Sequence, residues 1–210
     1  MKKYLVRSLV VSLTIVLTVG AAQACSRKPV SGGAQLIDAS RKINQRLLDR
    51  AILSEVNYER CRAGLSPVRS EPRLIKAAAG HSAWMAKARR VSHKSTVSGR
   101  QTVRARIKRT GIKIRTGAEN IGMVHRFKVD NVNFLIRNAS SCQFATHGGQ
   151  PIPQHSYASL ARTIVKFWMN SHGHRANILN RQVRMMGTAA ALDKSAEYCG
   201  TYYITQDFAG

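Results

Sequence analysis

Two histidines and one glutamate lie in three separate segments of this 210-residue chain, and their types suit a single site. His93 and Glu119 each follow a short polar stretch, and His174 lies in a polar turn between apolar runs at 160–167 and 178–179. Two neutral imidazoles can bind Zn²⁺ or a similar ion, and a carboxylate can ligate the ion or orient the imidazoles. The same groups could transfer protons near neutral pH. The three residues therefore predict one site assembled from distant segments.

Residues beside His174 could extend this site. His172 could be an accessory ligand, and Ser171 or water could fill a further coordination position. His81 lies on the apolar stripe of a predicted helix and is predicted to be a core residue. No role is predicted for His125, His147 or His155. The alternative is structural, since a histidine–glutamate network can simply satisfy buried polar groups around a cleft.

Familiar catalytic motifs are absent from the sequence. It contains no Gly-x-Ser-x-Gly, no His-Glu-x-x-His, no Cys-x-x-Cys and no phosphate-binding glycine loop. No catalytic residue is assigned, and the candidate site remains His93, Glu119 and His174.

The periodicity of apolar residues predicts helices, then a strand, then a helix and a final pair of strands. A first helix runs from Arg46 to a C-cap at Gly64, and a second starts near Glu71-Pro72 and ends before Ser92. A short basic helix closing at Gly111, a strand at 119–124, a helix at about 158–170 and strands at 187–192 and 201–208 follow. This order predicts an α+β domain with a small, largely antiparallel sheet between helical layers.

The composition of the chain predicts a signal peptide, a leader, and a domain that contains an insertion. A basic start, an apolar run and Ala22-Gln23-Ala24 predict a secretory signal peptide over residues 1–24. Residues 25–45 are predicted to be a flexible leader, and residues 46–210 the domain. Residues 125–156 show no clear period and are predicted to be a loop-rich insertion. The mature protein is expected to have no transmembrane segment.

The four cysteines are expected in an oxidising compartment, where disulfides persist. Three pairings of Cys25, Cys61, Cys142 and Cys199 exist, and the sequence alone does not select one. A bond between Cys142 and Cys199 is favoured because both lie late in the chain in loop-like or strand-like surroundings. Cys61 is then a candidate buried thiol. Cys25 directly follows the cleavage pattern and could instead carry a lipid anchor.

The charge is strongly positive, with 34 lysines and arginines against 10 acidic residues, a formal net charge of +24. Such a charge attracts polyanions. For an exported protein these are anionic components of the envelope or of a host surface, although the charge could equally serve solubility alone. No zinc-finger spacing and no aromatic–basic interleaving is present, so no specific nucleic-acid partner is predicted.

Five blocks in order resemble the CAP superfamily, the SCP/PR-1-like extracellular domains, in its bacterial form. The first block is Asn57-Tyr58-Glu59-Arg60 with the end of its helix at 63–67, and the second is the helix at 74–85 followed by Ser92-His93. The other three are Gly117-Ala118-Glu119-Asn120-Ile121, the segment from Trp168 to Leu179, and the strand at 203–208. The resemblance covers residues 50–208 except for 125–156. It implies a three-layer α-β-α sandwich whose cleft carries two histidines and two acids.

Carried over by motif, His93 and His174 take the histidine positions of this cleft, and Glu119 takes one acidic position. Ser171 stands where the second acid would be, and this difference favours binding over catalysis. The resemblance implies a secreted or periplasmic protein whose ligand is a divalent metal such as zinc, a lipid or a partner protein. The alternatives are a secreted metal-dependent hydrolase of peptide or cell-wall material and an extracellular polyanion-binding protein.

Overall fold

A computed structural model describes residues 25–210, so the predicted signal peptide lies outside the described residues. The elements, in chain order, are α1 (Gln45–Arg62), β1 (Arg69–Ser70), α2 (Pro72–Ala88), α3 (Val103–Lys108), β2 (Gly117–His125), β3 (Leu135–Asn138), β4 (Gln143–Ala145), α4 (Tyr157–Asn170), α5 (His172–Ile178), β5 (Met185–Asp193) and β6 (Thr201–Ala209). In the described part of the chain, no helix is long and apolar enough to cross a membrane.

The main sheet has four strands in the order β1-β5-β6-β2. β6 pairs with β5 and with β2, both antiparallel, over its full length, and only the two-residue β1 runs parallel to its neighbour. All nine residues of β6 are buried, because this strand has a partner on each edge and helices on both faces. The predicted mixed fold with a small, mainly antiparallel sheet is confirmed.

Helices cover both faces of the sheet and produce three layers. On one face, Leu48 and Ile52 of α1 and Trp168 of α4 form one core with Ile204 and Phe208 of β6. On the other face, α2 packs across β5 and β6. Alternate residues of β6 therefore bury on opposite sides, as strand geometry requires. The sequence pattern predicted these layers because the helices and strands carry apolar residues at their own periods.

Gly187 lets α2 approach the sheet very closely. A Cβ atom at this position would lie 2.2 Å from the backbone nitrogen of Ile75 and 2.5 Å from the Cβ atom of Leu74. Any larger residue would push the start of α2 away from β5. Gly187 pairs with Asp207 on β6, so the close approach of α2 lies beside this residue.

The end of α4 differs from the prediction. The polar turn expected at 170–177 is instead a short helix, α5, which begins directly after Ser171. Ser171 has φ −103° and ψ 125°, an extended conformation that separates the two helices with a single residue. The polar residues favoured a turn, but Ile178 is fully buried and anchors a helical turn against the core.

The segment 25–44 is packed against the domain, whereas a flexible leader was expected. Ile37 is 1% exposed, and its backbone N–H donates to the carbonyl of His155 at 3.1 Å. A disulfide joins Cys25 to Cys61 on α1. The expectation that Cys61 stays a free thiol is therefore wrong. A sulfur in this bond also cannot carry a thioether-linked lipid, so the anchor considered for Cys25 does not fit this structure.

Residues 125–156 form a small substructure with its own core. β3 and β4 make a two-stranded antiparallel sheet. Phe127 and Phe144 pack edge to face, with ring centroids 5.0 Å apart. A disulfide joins Cys142 in this segment to Cys199 just before β6, which is the pairing favoured by the sequence. The short strands and separate aromatic cluster explain why no single period was visible.

Candidate functional site

Glu119 on β2 is the centre of the buried polar site. Its side chain is fully buried, and each carboxylate oxygen has a cationic or imidazole neighbour. His93 Nδ1 lies 2.7 Å from Oε1, and the Nη2 atom of Arg106 lies 2.5 Å from Oε2. The two contacts place His93 and Glu119 together, as the sequence predicted for this pair.

The neighbours of Glu119 keep its carboxylate charged. Burial by itself raises the pKa of this group, but the hydrogen bond from His93 and the charge of Arg106 outweigh burial, and the pKa is lowered. A carboxylate only accepts hydrogen bonds, so His93 donates through Nδ1. In the neutral form of the ring, the second nitrogen, Nε2, carries a lone pair. Half of the His93 side chain is exposed, so a ligand can reach this ring.

Arg106 is a site residue that the sequence analysis did not single out. It lies on α3, is 3% exposed, and also donates to the backbone carbonyls of His93 and Arg100. The basic composition of this region suggested a solvated surface. However, Arg106 falls three residues after Val103 and next to Ile107, on the apolar stripe of the helix, and this position was the available signal.

His81 on α2 is buried as predicted, yet it also belongs to the surroundings of Glu119. Its Nε2 atom lies 2.9 Å from the carbonyl oxygen of Ser92 and 3.9 Å from Oε1 of Glu119. Burial lowers the pKa of His81, although the nearby Glu119 charge opposes this change. The neutral ring therefore donates to Ser92 and links α2 to the segment that carries His93.

Asp207 is a second buried acid beside Glu119 that the sequence analysis missed. The two residues are partners in the β2–β6 ladder. Neither oxygen of Asp207 accepts a hydrogen bond from a donor among the described residues. Burial raises its pKa well above the ordinary value, and the Glu119 charge raises it further. This shift favours the protonated form of Asp207, whose hydroxyl is a hydrogen-bond donor.

His174 reaches this region from α5. The side-chain amide of Asn120 donates to its carbonyl at 3.2 Å, and Asn177 donates to Asn120 Oδ1 at 2.9 Å and to the Glu119 carbonyl at 3.2 Å. These bonds fix α5 against β2. Burial and the neighbouring charge of His93 both lower the pKa of His174. The His174 ring is therefore neutral and lies within electrostatic range of His93.

The remaining residues considered for the site play smaller structural parts. Ser171 separates α4 from α5, and its side chain makes no capping hydrogen bond. His172 is exposed. His125 is hydrogen-bonded to Asp130 at 2.7 Å, and His155 is buried beside Ser159, with a pKa lowered to about 4 by burial.

The donor set bears on the prediction of a zinc ion held by His93, His174 and Glu119. In residues 25–210, no three histidine, cysteine, aspartate or glutamate side chains are grouped as metal ligands would be. Glu119 uses both oxygens on His93 and Arg106, which suits an orienting role rather than direct ligation. The imidazoles of His93 and His174 remain as ligands. They fit a metal only if water or another molecule completes the coordination.

Together, the layered fold and this site define an α-β-α domain with a buried glutamate that is paired with Arg106 and His93. The chain belongs to the CAP family, described as the cysteine-rich secretory protein family, whose sequence profile matches residues 53–208. The family assignment suggests an extracellular protein. No curated protein matches the sequence.

Two solved structures share the fold. An extracellular protein containing an SCP domain from Bacillus anthracis is 21% identical, with a TM-score of 0.53 over 79% of this chain and 41% of that one. The present chain thus spans less than half the length of that protein. An outer surface protein from Borrelia burgdorferi is 13% identical, with a TM-score of 0.53 over 80% of this chain and 97% of that one. At these identities the likeness concerns the fold alone.

Proposed function

We propose that this chain is a secreted CAP-domain protein that binds a ligand through His93 and His174 without catalysing a reaction. The observation that carries the proposal is the 2.7 Å contact between His93 Nδ1 and Glu119 Oε1. This contact fixes the tautomer of His93 and leaves Nε2 as a lone-pair donor on a half-exposed ring. The neutral His174 ring supplies a second nitrogen donor nearby.

Binding is favoured over catalysis because the buried carboxyl groups are committed to other roles. Glu119 is held as a carboxylate by Arg106 and His93, so its basicity is reduced. Asp207 is fully buried and is not exposed to a substrate. Ser171 stands where the family resemblance implies a second acid. No carboxyl group in this constellation is therefore both accessible and tuned for proton transfer near neutral pH.

A divalent ion such as zinc is the ligand that best matches two imidazoles. Bound there, it would act as an electrophilic centre for oxygen or nitrogen groups of a partner molecule. His93 and His174 would ligate the ion, and Glu119 would hold the His93 ring in place. A lipid or a protein ligand bound without metal is the alternative use of the same cleft.

Zinc titration followed by calorimetry tests the proposal. Binding should weaken by at least about tenfold in His93→Ala and in His174→Ala, because each variant removes one of two ligands. His172→Ala is the matched control, since His172 is exposed and lies two residues from His174 on the same helix. Equal binding by all four proteins would contradict the metal-binding proposal. Turnover of a peptide or cell-wall substrate that His174→Ala abolishes would contradict the non-catalytic one.

The net charge of +24 supports a second, additional function in binding anionic surfaces. The expected observation is retention on heparin that falls steeply as salt rises, because counterions are released when a polyanion binds. Retention that is independent of salt would contradict this function.

A further inference from the structure

The chain between Glu71 and Glu119 contains no acidic residue but has 13 lysines and arginines. This stretch includes α2, α3 and the loop that joins them. Three of its cations pair with carboxylates, namely Arg73, Arg89 and Arg106. The other ten are exposed, and none of them forms an ion pair within residues 25–210. The stretch therefore carries a large uncompensated positive charge on its surface.

Several of these exposed cations surround one concave site, which we call the cationic groove. It lies between α2, α3 and the loop at 95–100 and has a volume of about 420 Å³. Lys76 of α2, Arg100 of the loop and Arg109 at the end of α3 line it, and all three are exposed. Like charges held together without counterions attract a polyanion.

The buried residues of the cationic groove do not contribute to its accessible surface. His81 and Arg106 line it, but their side chains are only 0% and 2% exposed, so a ligand would contact the exposed side chains instead. His93 and His174 do not line the groove. The groove is therefore separate from the proposed zinc site.

The two exposed arginines of the groove lie against glycines. A Cβ atom at Gly80 on α2 would lie 3.7 Å from Nη1 of Arg100, and one at Gly99 would lie 3.2 Å from Nη1 of Arg109. The Ser95 hydroxyl donates to the Arg100 carbonyl at 2.8 Å and closes the loop. Both guanidinium groups are thus placed at the groove before a ligand binds, which reduces the entropy lost on binding.

The shape and lining of the groove favour a narrow linear polyanion without bases. A bilayer presents its charges on a plane, whereas these cations surround a concave site that a single chain can enter. Single-stranded nucleic acid binds by stacking its bases on aromatic side chains. Trp84, which lines the groove, already stacks on His81 with ring centroids 5.5 Å apart, and the guanidinium carbon of Arg90 lies 5.8 Å from its ring centroid. The indole ring is therefore already engaged by the protein.

We infer that the cationic groove binds a segment of a linear anionic polysaccharide, an inference that rests on the proposed affinity for anionic surfaces. Such a chain carries sulfate or carboxylate groups on its successive sugars. Arg100 and Arg109 can each donate two parallel hydrogen bonds to one of these groups, and Lys76 adds a third cation. Arg104 and Lys108, which are exposed on α3, extend the positive surface along the bound chain.

Calorimetric titration of the protein with a heparin hexasaccharide tests the inference. The double variant Arg100→Gln/Arg109→Gln should weaken binding by at least about tenfold, because it removes two charge-assisted contacts. Binding should also depend less steeply on salt, because fewer counterions are released. Both side chains are exposed, so folding should be preserved.

The double variant Arg46→Gln/Arg137→Gln is the matched control. It removes the same charge from two exposed arginines that do not line the groove, and it should bind the hexasaccharide like the wild type. If it weakens binding as much as the groove variant does, the inference is overturned while the proposed affinity for anionic surfaces stands. Loss of salt-sensitive heparin retention by the wild type would overturn both.

A galacturonate hexamer, which carries carboxylates but no sulfate, identifies the source of the charge. Tighter groove-dependent binding of the heparin hexasaccharide assigns a sulfated glycan, and tighter binding of the galacturonate hexamer assigns a carboxylated one. Single-stranded DNA and phosphatidylglycerol vesicles are the competing polyanions. If either binds more tightly than both glycans and loses that binding in Arg100→Gln/Arg109→Gln, the groove is a nucleic-acid or membrane site and the inference is overturned.

Discussion

Glu119 and Asp207 are directly opposite each other on β2 and β6, and the pKa values of the two buried carboxyl groups are shifted in opposite directions. Arg106 and His93 keep Glu119 charged, whereas burial and the Glu119 charge outweigh the effect of Arg106 on Asp207 and raise its pKa. A proton retained by Asp207 therefore avoids two adjacent buried negative charges. This arrangement makes stability depend on pH in a predictable direction.

Asp207→Asn should become more stable relative to the wild type as pH rises. The folded protein keeps a proton that the unfolded chain releases near pH 3.8, so the Asp207 contribution to the unfolding free energy is lost with rising pH until the folded pKa is reached. An amide avoids this loss, and the difference should grow by at most about 1.4 kcal/mol per pH unit. Urea unfolding between pH 4 and 8 measures it.

Asp38→Asn provides the control for this series. Asp38 is exposed, and hydrogen bonds from Ser40 lower its pKa, so its substitution should show no gain in relative stability with rising pH. If Asp207→Asn and Asp38→Asn gave parallel curves, the assignment of a protonated Asp207 would be wrong.

Arg106→Leu should destabilise the fold by about 3–5 kcal/mol, because it leaves the Glu119 carboxylate buried without its cation. Adding Glu119→Gln to this variant should recover part of the loss, since the unpaired charge is removed. Chemical denaturation of the single and double variants gives the coupling energy.

Arg104→Gln on the same helix is exposed and should change stability by less than about 0.5 kcal/mol. A loss of less than about 1 kcal/mol in Arg106→Leu would show that this buried pair does not hold α3 to β2.

The two disulfides should stabilise different parts of the molecule. Replacing Cys25 and Cys61 by serine opens a link across 36 residues and should cost about 2–4 kcal/mol, and trypsin should then cleave within 25–44. Replacing Cys142 and Cys199 should instead direct cleavage to 125–156. Mass spectrometry of short digests identifies the sites. Identical cleavage patterns for both variants would contradict the independent attachment of the two segments.

Much of the fold could be predicted because its signals are local. The apolar stripe of α1 and the β-branched and aromatic run of β6 each show the period of the element they form. The short α5 and the packing of residues 25–44 could not be predicted, because they depend on contacts from Ile178 and Ile37 to distant parts of the core. Such tertiary contacts override local polarity.

The candidate site could likewise be predicted only in part. His93, Glu119 and His174 stand in recognisable segments, and the structure brings the first two into direct contact. Arg106 and Asp207 were missed because one lies in a basic run and the other in a strand whose partner was unknown. Only the β2–β6 register places Asp207 opposite Glu119. Long-range pairing of this kind leaves no pattern in a single sequence.

Nitrogen-15 NMR of the histidine rings during zinc titration tests the central claim most directly. Zinc should shift Nε2 of His93 and a ring nitrogen of His174, while Nδ1 of His93 stays protonated on Glu119 and the His172 ring is unchanged. If the His93 and His174 signals do not move, or if exposed His172 shifts as much as they do, the two histidines do not form the ligand site.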